Sequence, residues 1–278
     1  YIVHGMAEHA LRYDDFARFL LDNGFSVYSM DLRGHGKTAG TVDKLGFFAE
    51  TDGWNKVVSD IRLLIQAGEH ENPGLPTILY GHSMGSLLAR SYFLKYGGGL
   101  AGLILSGVPS RIGLIGSVGK GIASYEIAKS GMRAPSHRLH AMNFGGFNKA
   151  FAPNRTDFDW LSRDEAQVNA YRDDPFCGFV CSAGFYHDLL EGAMNLEKGG
   201  AFSGIDTSVP VYIFCGEKDS VGKFGKGLAQ AERDFSRAGT KDLTVKSYRD
   251  GRHEMLNEIN RENVYRDFLD WLSAHIPS

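Results

Sequence analysis

With 278 residues, the chain has room for one large domain or two small ones at the usual ~100–200 residues per domain. Its 43% hydrophobic and 23% charged residues exclude a disordered chain, a collagen-like repeat and a disulfide scaffold. A formal charge of −3 argues against a nucleic-acid-binding surface.

Short β-branched runs bounded by glycine alternate with helical periodicity along the chain. Tyr1 to His4 reads as a short strand broken by Gly5. Tyr13, Phe16, Ala17, Leu20 and Leu21 follow helical spacing, and Asn23-Gly24 supplies the stop. Phe25 to Met30 reads as a second strand, closed by the turn Asp31 to Gly36. Trp54, Val57, Val58, Ile61, Leu64 and Ile65 form the next apolar stripe. Thr77 to Tyr80 is a third strand, followed by a helix through Leu87, Leu88, Tyr92 and Phe93. Leu103 to Leu105, Val209 to Phe214 and Leu243 to Tyr248 complete the strands, and a helix carrying Val264, Phe268, Trp271 and Leu272 ends the chain.

This order predicts an α/β fold, a mostly parallel sheet with helices on both faces. One stretch interrupts the rhythm: between Val108 and Val209 helical signals continue without β–α alternation. An insertion of that length is rarely a mere loop. The expected organisation is a core over residues 1–110, a helical cap over 111–206 and the rest of the core over 207–278. The cap is rich in aromatics and methionines, among them Tyr125, Phe144, Phe147, Trp160, Met132 and Met194.

Glycine, at 35 residues, is about twice its ordinary ~7% share while proline is only 8, so tight turns and close backbone approaches are expected. The three cysteines, Cys177, Cys181 and Cys215, have no metal-ligand spacing. No cofactor and no metal are expected. Free thiols suit a reducing compartment, so a cytoplasmic location is expected. There is no run of 18 apolar residues and no signal-peptide pattern. The chain begins at Tyr1, already in a strand-like run, and residues upstream in the native protein are expected, including room for a targeting segment.

Gly81-His82-Ser83-Met84-Gly85 is a G-x-S-x-G pattern placed after a strand and before a helix. That placement exposes a serine hydroxyl on a sharp turn, and flanking glycines relieve the crowding. A nucleophilic serine needs a base, and the base needs an orienting carboxylate. Asp219 follows the strand ending near Cys215, and His253 follows the strand ending at Tyr248. Ser83, Asp219 and His253 are therefore the candidate catalytic residues, with Glu217 the rival carboxylate. The candidate oxyanion donors are the backbone N–H groups of Met84 and Met6. His4, Glu8, His9, Asp31, Arg33 and His35 read as turn and loop anchors. Gly34-His35-Gly36-Lys37-Thr38 lacks the first glycine of a P-loop, and His253-Glu254 lacks the second histidine of H-E-x-x-H, where Asn257 stands.

Four motifs together carry a family resemblance: His4-Gly5-Met6-Ala7-Glu8-His9 with Arg12-Tyr13, Asp31-Leu32-Arg33-Gly34-His35-Gly36, Gly81 to Gly85, and His253 to Glu258. They resemble the monoacylglycerol lipase and lysophospholipase branch of the α/β-hydrolases, over essentially the whole chain. The resemblance implies an α/β-hydrolase fold, Ser83, Asp219 and His253 as the triad, Met6 and Met84 as the oxyanion hole, and a flexible cap admitting one acyl chain. The family fold starts with two further strands before the one containing Tyr1, and this chain has neither, which would leave Phe25 to Met30 as an exposed edge. The function expected is a serine carboxylic-ester hydrolase, most of all a monoacylglycerol lipase. The alternatives are a lysophospholipase, a short- or medium-chain carboxylesterase and, from another class, a non-catalytic ligand-binding relative. The partner expected is a small acyl ester, with transient membrane contact through the apolar cap.

Overall fold

A computed structural model describes residues 1–276. Strand β1 (Ile2–Val3) precedes helix α1 (Asp14–Asp22), which Gly24 ends in a left-handed conformation at φ 87°. Helix α2 (Gly53–Glu71), strand β2 (Ile78–His82), helix α3 (Met84–Tyr96) and strand β3 (Gly102–Ser106) follow. Helices α4 (Gly113–Ser130), α5 (His137–Phe144), α6 (Glu165–Asp173) and α7 (Ala183–Glu197) then intervene before strand β4 (Val211–Gly216). Helix α8 (Lys226–Ala238), strand β5 (Leu243–Tyr248) and helix α9 (Arg261–His275) close the fold.

The five strands pair in sequence order and all in parallel, so every connection is a crossover. Alternating side chains along each strand divide the core into two layers. Leu79, Leu103, Leu105 and Ile213 face one layer with Val57 and Ile61 of α2, Leu88 of α3 and Phe235 of α8. Tyr80, Ile104, Tyr212 and Phe214 face the other, with Phe16 of α1 and Phe268 and Trp271 of α9. This is the α/β-hydrolase arrangement, with the central strand edges carrying loops at their carboxyl ends. The first layer continues into the inserted helices through Ala123, Leu139, Phe185 and Leu196. A smaller cluster of Trp160, Leu161, Val168, Tyr171 and Cys177 lies wholly within the insertion.

One expected strand is absent. Phe25 to Met30 runs beside β1 but makes a single bridge, Ser29 to Ile2, with the Ile2 amide donating to the Tyr28 carbonyl at 2.8 Å. Beyond that bridge the segment makes no regular pairs with β1 among the described residues, whereas β1 pairs twice with β2. The Ser29 hydroxyl donates to the Ile2 carbonyl at 3.0 Å, so the side chain adds a bond that a regular strand would not use.

Candidate active site

Chain geometry places Ser83 first. It sits between the last residue of β2 and the first of α3, at φ 54° and ψ −119°, a strained conformation for a residue with a Cβ. The glycines on either side are steric requirements. A Cβ on Gly81 would lie 2.3 Å from the Gly85 carbonyl oxygen, and one on Gly85 would lie 2.1 Å from the Val3 carbonyl oxygen. The Ser83 amide donates to the Ser106 carbonyl at 3.0 Å, tying the turn to β3. Its own carbonyl accepts the Ser86 hydroxyl at 2.6 Å and the Ser86 amide at 2.9 Å.

The loops after β4 and β5 bring a carboxylate and an imidazole together. Asp219 is fully buried and its Oδ1 lies 3.0 Å from His253 Nδ1. The same oxygen accepts the amides of Val221 at 2.9 Å and Gly222 at 3.2 Å. A carboxylate only accepts, so Nδ1 carries the proton and Nε2 is left as the acceptor. Glu217, the rival, is exposed and takes no part. Burial opposes the His253 cation, but the charge and hydrogen bond of Asp219 outweigh it and raise the histidine above 6.5. Burial likewise opposes the Asp219 anion, and His253 holds it below the usual carboxylate value. His253 packs against the rings of His82 at 4.7 Å and Trp160 at 5.3 Å. His82 is held neutral: burial, then the neighbouring His253, lowers it to about 4. Its Nδ1 bonds the Ser106 hydroxyl at 2.8 Å.

Ser83, Met84, His253, Gly5 and Met6 line one cavity of about 990 Å³, its open mouth included. As the first residue of α3, Met84 has no intrahelical acceptor for its amide. Met6 lies in the turn after β1, next to Ala7 at φ 55°. His4 shapes that turn, its Nδ1 2.7 Å from the Gly5 carbonyl and its Nε2 accepting the Leu32 amide at 2.9 Å.

A family model described as "Serine aminopeptidase, S33" matches residues 1–260. The chain belongs to that family of α/β-hydrolases. A monoacylglycerol lipase of Mycolicibacterium smegmatis is 27% identical over 99% of this chain and 88% of its own length. The human monoglyceride lipase is 26% identical over 98% of this chain and 81% of its own. A thermostable carboxyl esterase from Bacillus coagulans superposes with a TM-score of 0.91 at 26% identity, covering 99% of this chain and 89% of that one. The chain is thus similar both to monoacylglycerol lipases and to a carboxyl esterase.

The hydrolase also has a buried charge network that joins residues of two of the sequence motifs. Arg12 grips Glu254 with both prongs, Nη1 to Oε1 at 2.5 Å and Nη2 to Oε2 at 2.7 Å. Its Nη1 also reaches Glu8 Oε2 at 2.7 Å, and its guanidinium lies 4.8 Å from the Tyr171 ring centre. Glu8 in turn accepts the Gly5 amide and, at 2.9 Å, the Tyr13 hydroxyl. Burial opposes the Glu254 anion, yet Arg12 overrides it and lowers the carboxyl to about 2. Tyr171, from the insertion, donates to the Ala7 carbonyl at 2.9 Å. The remaining anchors read from the sequence each bond within the protein, although among the described residues the buried Nε2 of His35 has no partner. Asp31 accepts the amides of Ala10 at 2.9 Å and Lys37 at 2.7 Å, Arg33 pairs with Asp60, and His35 Nδ1 lies 2.9 Å from the Arg33 carbonyl.

One trio of metal-ligating side chains converges among the described residues. His9, Asp174 and Cys177 have ligand atoms within 4.8 Å of one another. His9 Nε2 is already 2.9 Å from Asp174 Oδ2, and burial pushes the Cys177 thiol up, which keeps it protonated. The set reads as a His9–Asp174 hydrogen bond beside a neutral thiol.

Proposed function

We propose that this hydrolase cleaves carboxylic esters, monoacylglycerols above all, by a serine acyl-enzyme route. The observation that carries the proposal is His253, held by buried Asp219 and lining the same cavity as a serine on a strained, glycine-flanked turn. His253 takes the Ser83 proton through Nε2 as Ser83 attacks the ester carbonyl. The resulting tetrahedral oxyanion is met by the amides of Met6 and Met84. His253 then protonates the departing alcohol, and water repeats the sequence on the acyl-enzyme. Asp219 holds the imidazole in the useful tautomer and stabilises its cation. Each oxyanion donor is worth about 3–4 kcal/mol in such sites.

An apolar acyl chain suits the cavity, whose walls include Leu87, Ile112, Leu189, Leu190 and Leu196. The inserted helices act as a cap over it. Leu114, Ile115, Val118 and Tyr125 of α4 are exposed, which supports transient contact of the cap with lipid. No helix of the described residues is long and apolar enough to cross a membrane. Three free, buried cysteines support a reducing compartment, hence the cytoplasm.

A carboxylesterase of short or medium chain preference is the second reading, favoured by the close superposition with the Bacillus coagulans esterase. Kinetics on monoacylglycerols, lysophospholipids and p-nitrophenyl esters of graded length separate the two. A kcat/KM that climbs from acetyl to long acyl chains and is highest for monoacylglycerols supports the lipase. A peak at acetyl or butyryl supports the esterase.

A further inference from the structure

The cavity changes character along α3. Beside Ser83 and His253 its walls are aromatic, with Phe144, Phe147 and Trp160. A second group of lining residues is charged: Arg90, Arg111, Glu197 and Asp234. Arg90 lies on α3, seven residues after Ser83, which caps that helix's N-terminus. At 1.5 Å per residue that is about 10 Å along the axis.

Three of these four charges are already engaged. Arg111 pairs with Asp234. Glu197 accepts the amides of Ile112 at 2.6 Å and Gly113 at 3.0 Å, closing the N-terminus of α4. Arg90 is the exception. The residue is only 6% exposed, its Nε donates to the Ser86 carbonyl at 3.2 Å, and among the described residues it has no ion-pair partner. Among the described residues neither Nη atom has a hydrogen-bond partner, and the side chain lines the cavity. Burial, offset by Asp234 and reinforced by Arg111, lowers Arg90 to about 10, which leaves it a cation at neutral pH.

A guanidinium drawn out of water without an acceptor is costly, and a ligand that supplies the acceptor recovers that cost. The planar fork matches a carboxylate with two parallel bonds. A phosphate dianion would instead bring its second charge up to Glu197 and Asp234. We propose that Arg90 anchors an anion subsite, and that the enzyme accepts esters whose chain carries a carboxylate distal to the scissile bond. The proposal rests on the ester-hydrolase reading and narrows its substrate class.

The test compares p-nitrophenyl hemi-esters of straight-chain dicarboxylic acids with p-nitrophenyl esters of monocarboxylic acids of equal length. Wild-type protein, Arg90→Gln and Arg90→Lys are each assayed on both series. The readout is the ratio of the two kcat/KM values within one preparation, which cancels any loss of folded protein. At the best chain length the wild-type ratio should exceed that of Arg90→Gln by about tenfold to a hundredfold, the scale of a charge-assisted bond. Arg90→Lys should fall between them, keeping the charge but not the fork. Ratios within about twofold of each other at every length would overturn the subsite and leave Arg90 as a counter-charge to Asp234. In that outcome hydrolysis of the neutral esters still stands, and with it the ester-hydrolase reading. Hydrolysis of neither series, with Ser83 unreactive toward a fluorophosphonate, would overturn both.

Discussion

Arg12 and Glu254 meet prong to prong across 242 residues of sequence, joining the turn that carries Met6 to the loop that carries His253. Glu8 completes the link by holding the Gly5 amide and the same guanidinium. The Gly5–Met6 turn and the His253 loop are thus joined through one buried set of charges.

Removing Arg12 should therefore damage stability and catalysis together. Arg12→Met leaves Glu8 and Glu254 buried without their cation, and breaking such a pair costs about 3–5 kcal/mol. Urea unfolding should show a stability loss of that size, read as the drop in midpoint multiplied by the m-value. The protein that remains folded should have a lower kcat, because the Gly5–Met6 turn has lost its brace. Wild-type stability in the variant would mean the network carries no net energy.

Two glycines of the elbow should tolerate no side chain, whereas a third should accept one freely. Gly81→Ala and Gly85→Ala force a Cβ to 2.3 Å and 2.1 Å from backbone oxygens, which cannot move aside cheaply. Losses of about 1–3 kcal/mol or more are expected, together with loss of activity. Nothing lies within 4 Å of a Cβ built on Gly98, so Gly98→Ala should stay within about 0.5 kcal/mol of wild type. Thermal melts of the three variants check the contrast.

The activity should rise with pH as His253 loses its proton, with an inflection above 6.5 because Asp219 raises that histidine. Asp219→Asn removes both the charge and the acceptor that favour the cation. The inflection of kcat/KM should then move down, and the rate should drop by about 10⁴-fold. An inflection that stays in place after the substitution would detach Asp219 from the base.

Acid should destabilise the fold through three other histidines. Burial is the leading cause at each, lowering His4 and His82 to about 4 and His35 to about 3. A group with a depressed folded value binds its proton more readily when unfolded, so its stabilisation is present above 6.5 and fades as pH falls. A depression of the size at His4 or His82 is worth on the order of 3 kcal/mol by pH 4. His253 runs the opposite way: its stabilisation is full below 6.5 and is lost as pH rises through its raised value. The three outnumber the one, so the urea midpoint should fall steadily from pH 6.5 toward 4. A flat profile over that window would contradict the buried neutral assignment.

Much of this architecture was legible in the sequence because hydrophobic period and glycine breaks report directly on strand and helix. The run Leu243 to Tyr248 matches β5 residue for residue. Phe25 to Met30 misled because composition states a preference for extended backbone, while a strand also needs a partner of matching length. Ser83, Asp219 and His253 could be proposed from the sequence because each stands just past a strand. Glu217 could be told from Asp219 only by which way the turn after β4 points its side chains. Arg12 and Glu254 carried no spacing signal, being joined only by the fold. Arg90 was hidden for a different reason: Met84 to Arg90 of α3 are all buried, so no polar face marked it out.

The central claim is that Ser83 is the acylated nucleophile, and intact-mass analysis tests it most directly. The protein should be incubated with a fluorophosphonate or a slowly deacylating p-nitrophenyl ester and its adduct mapped by peptide digestion. One adduct per chain is expected, located on Ser83, with neither adduct nor esterase activity in Ser83→Ala. An adduct on another residue, or full esterase activity in Ser83→Ala, would contradict it.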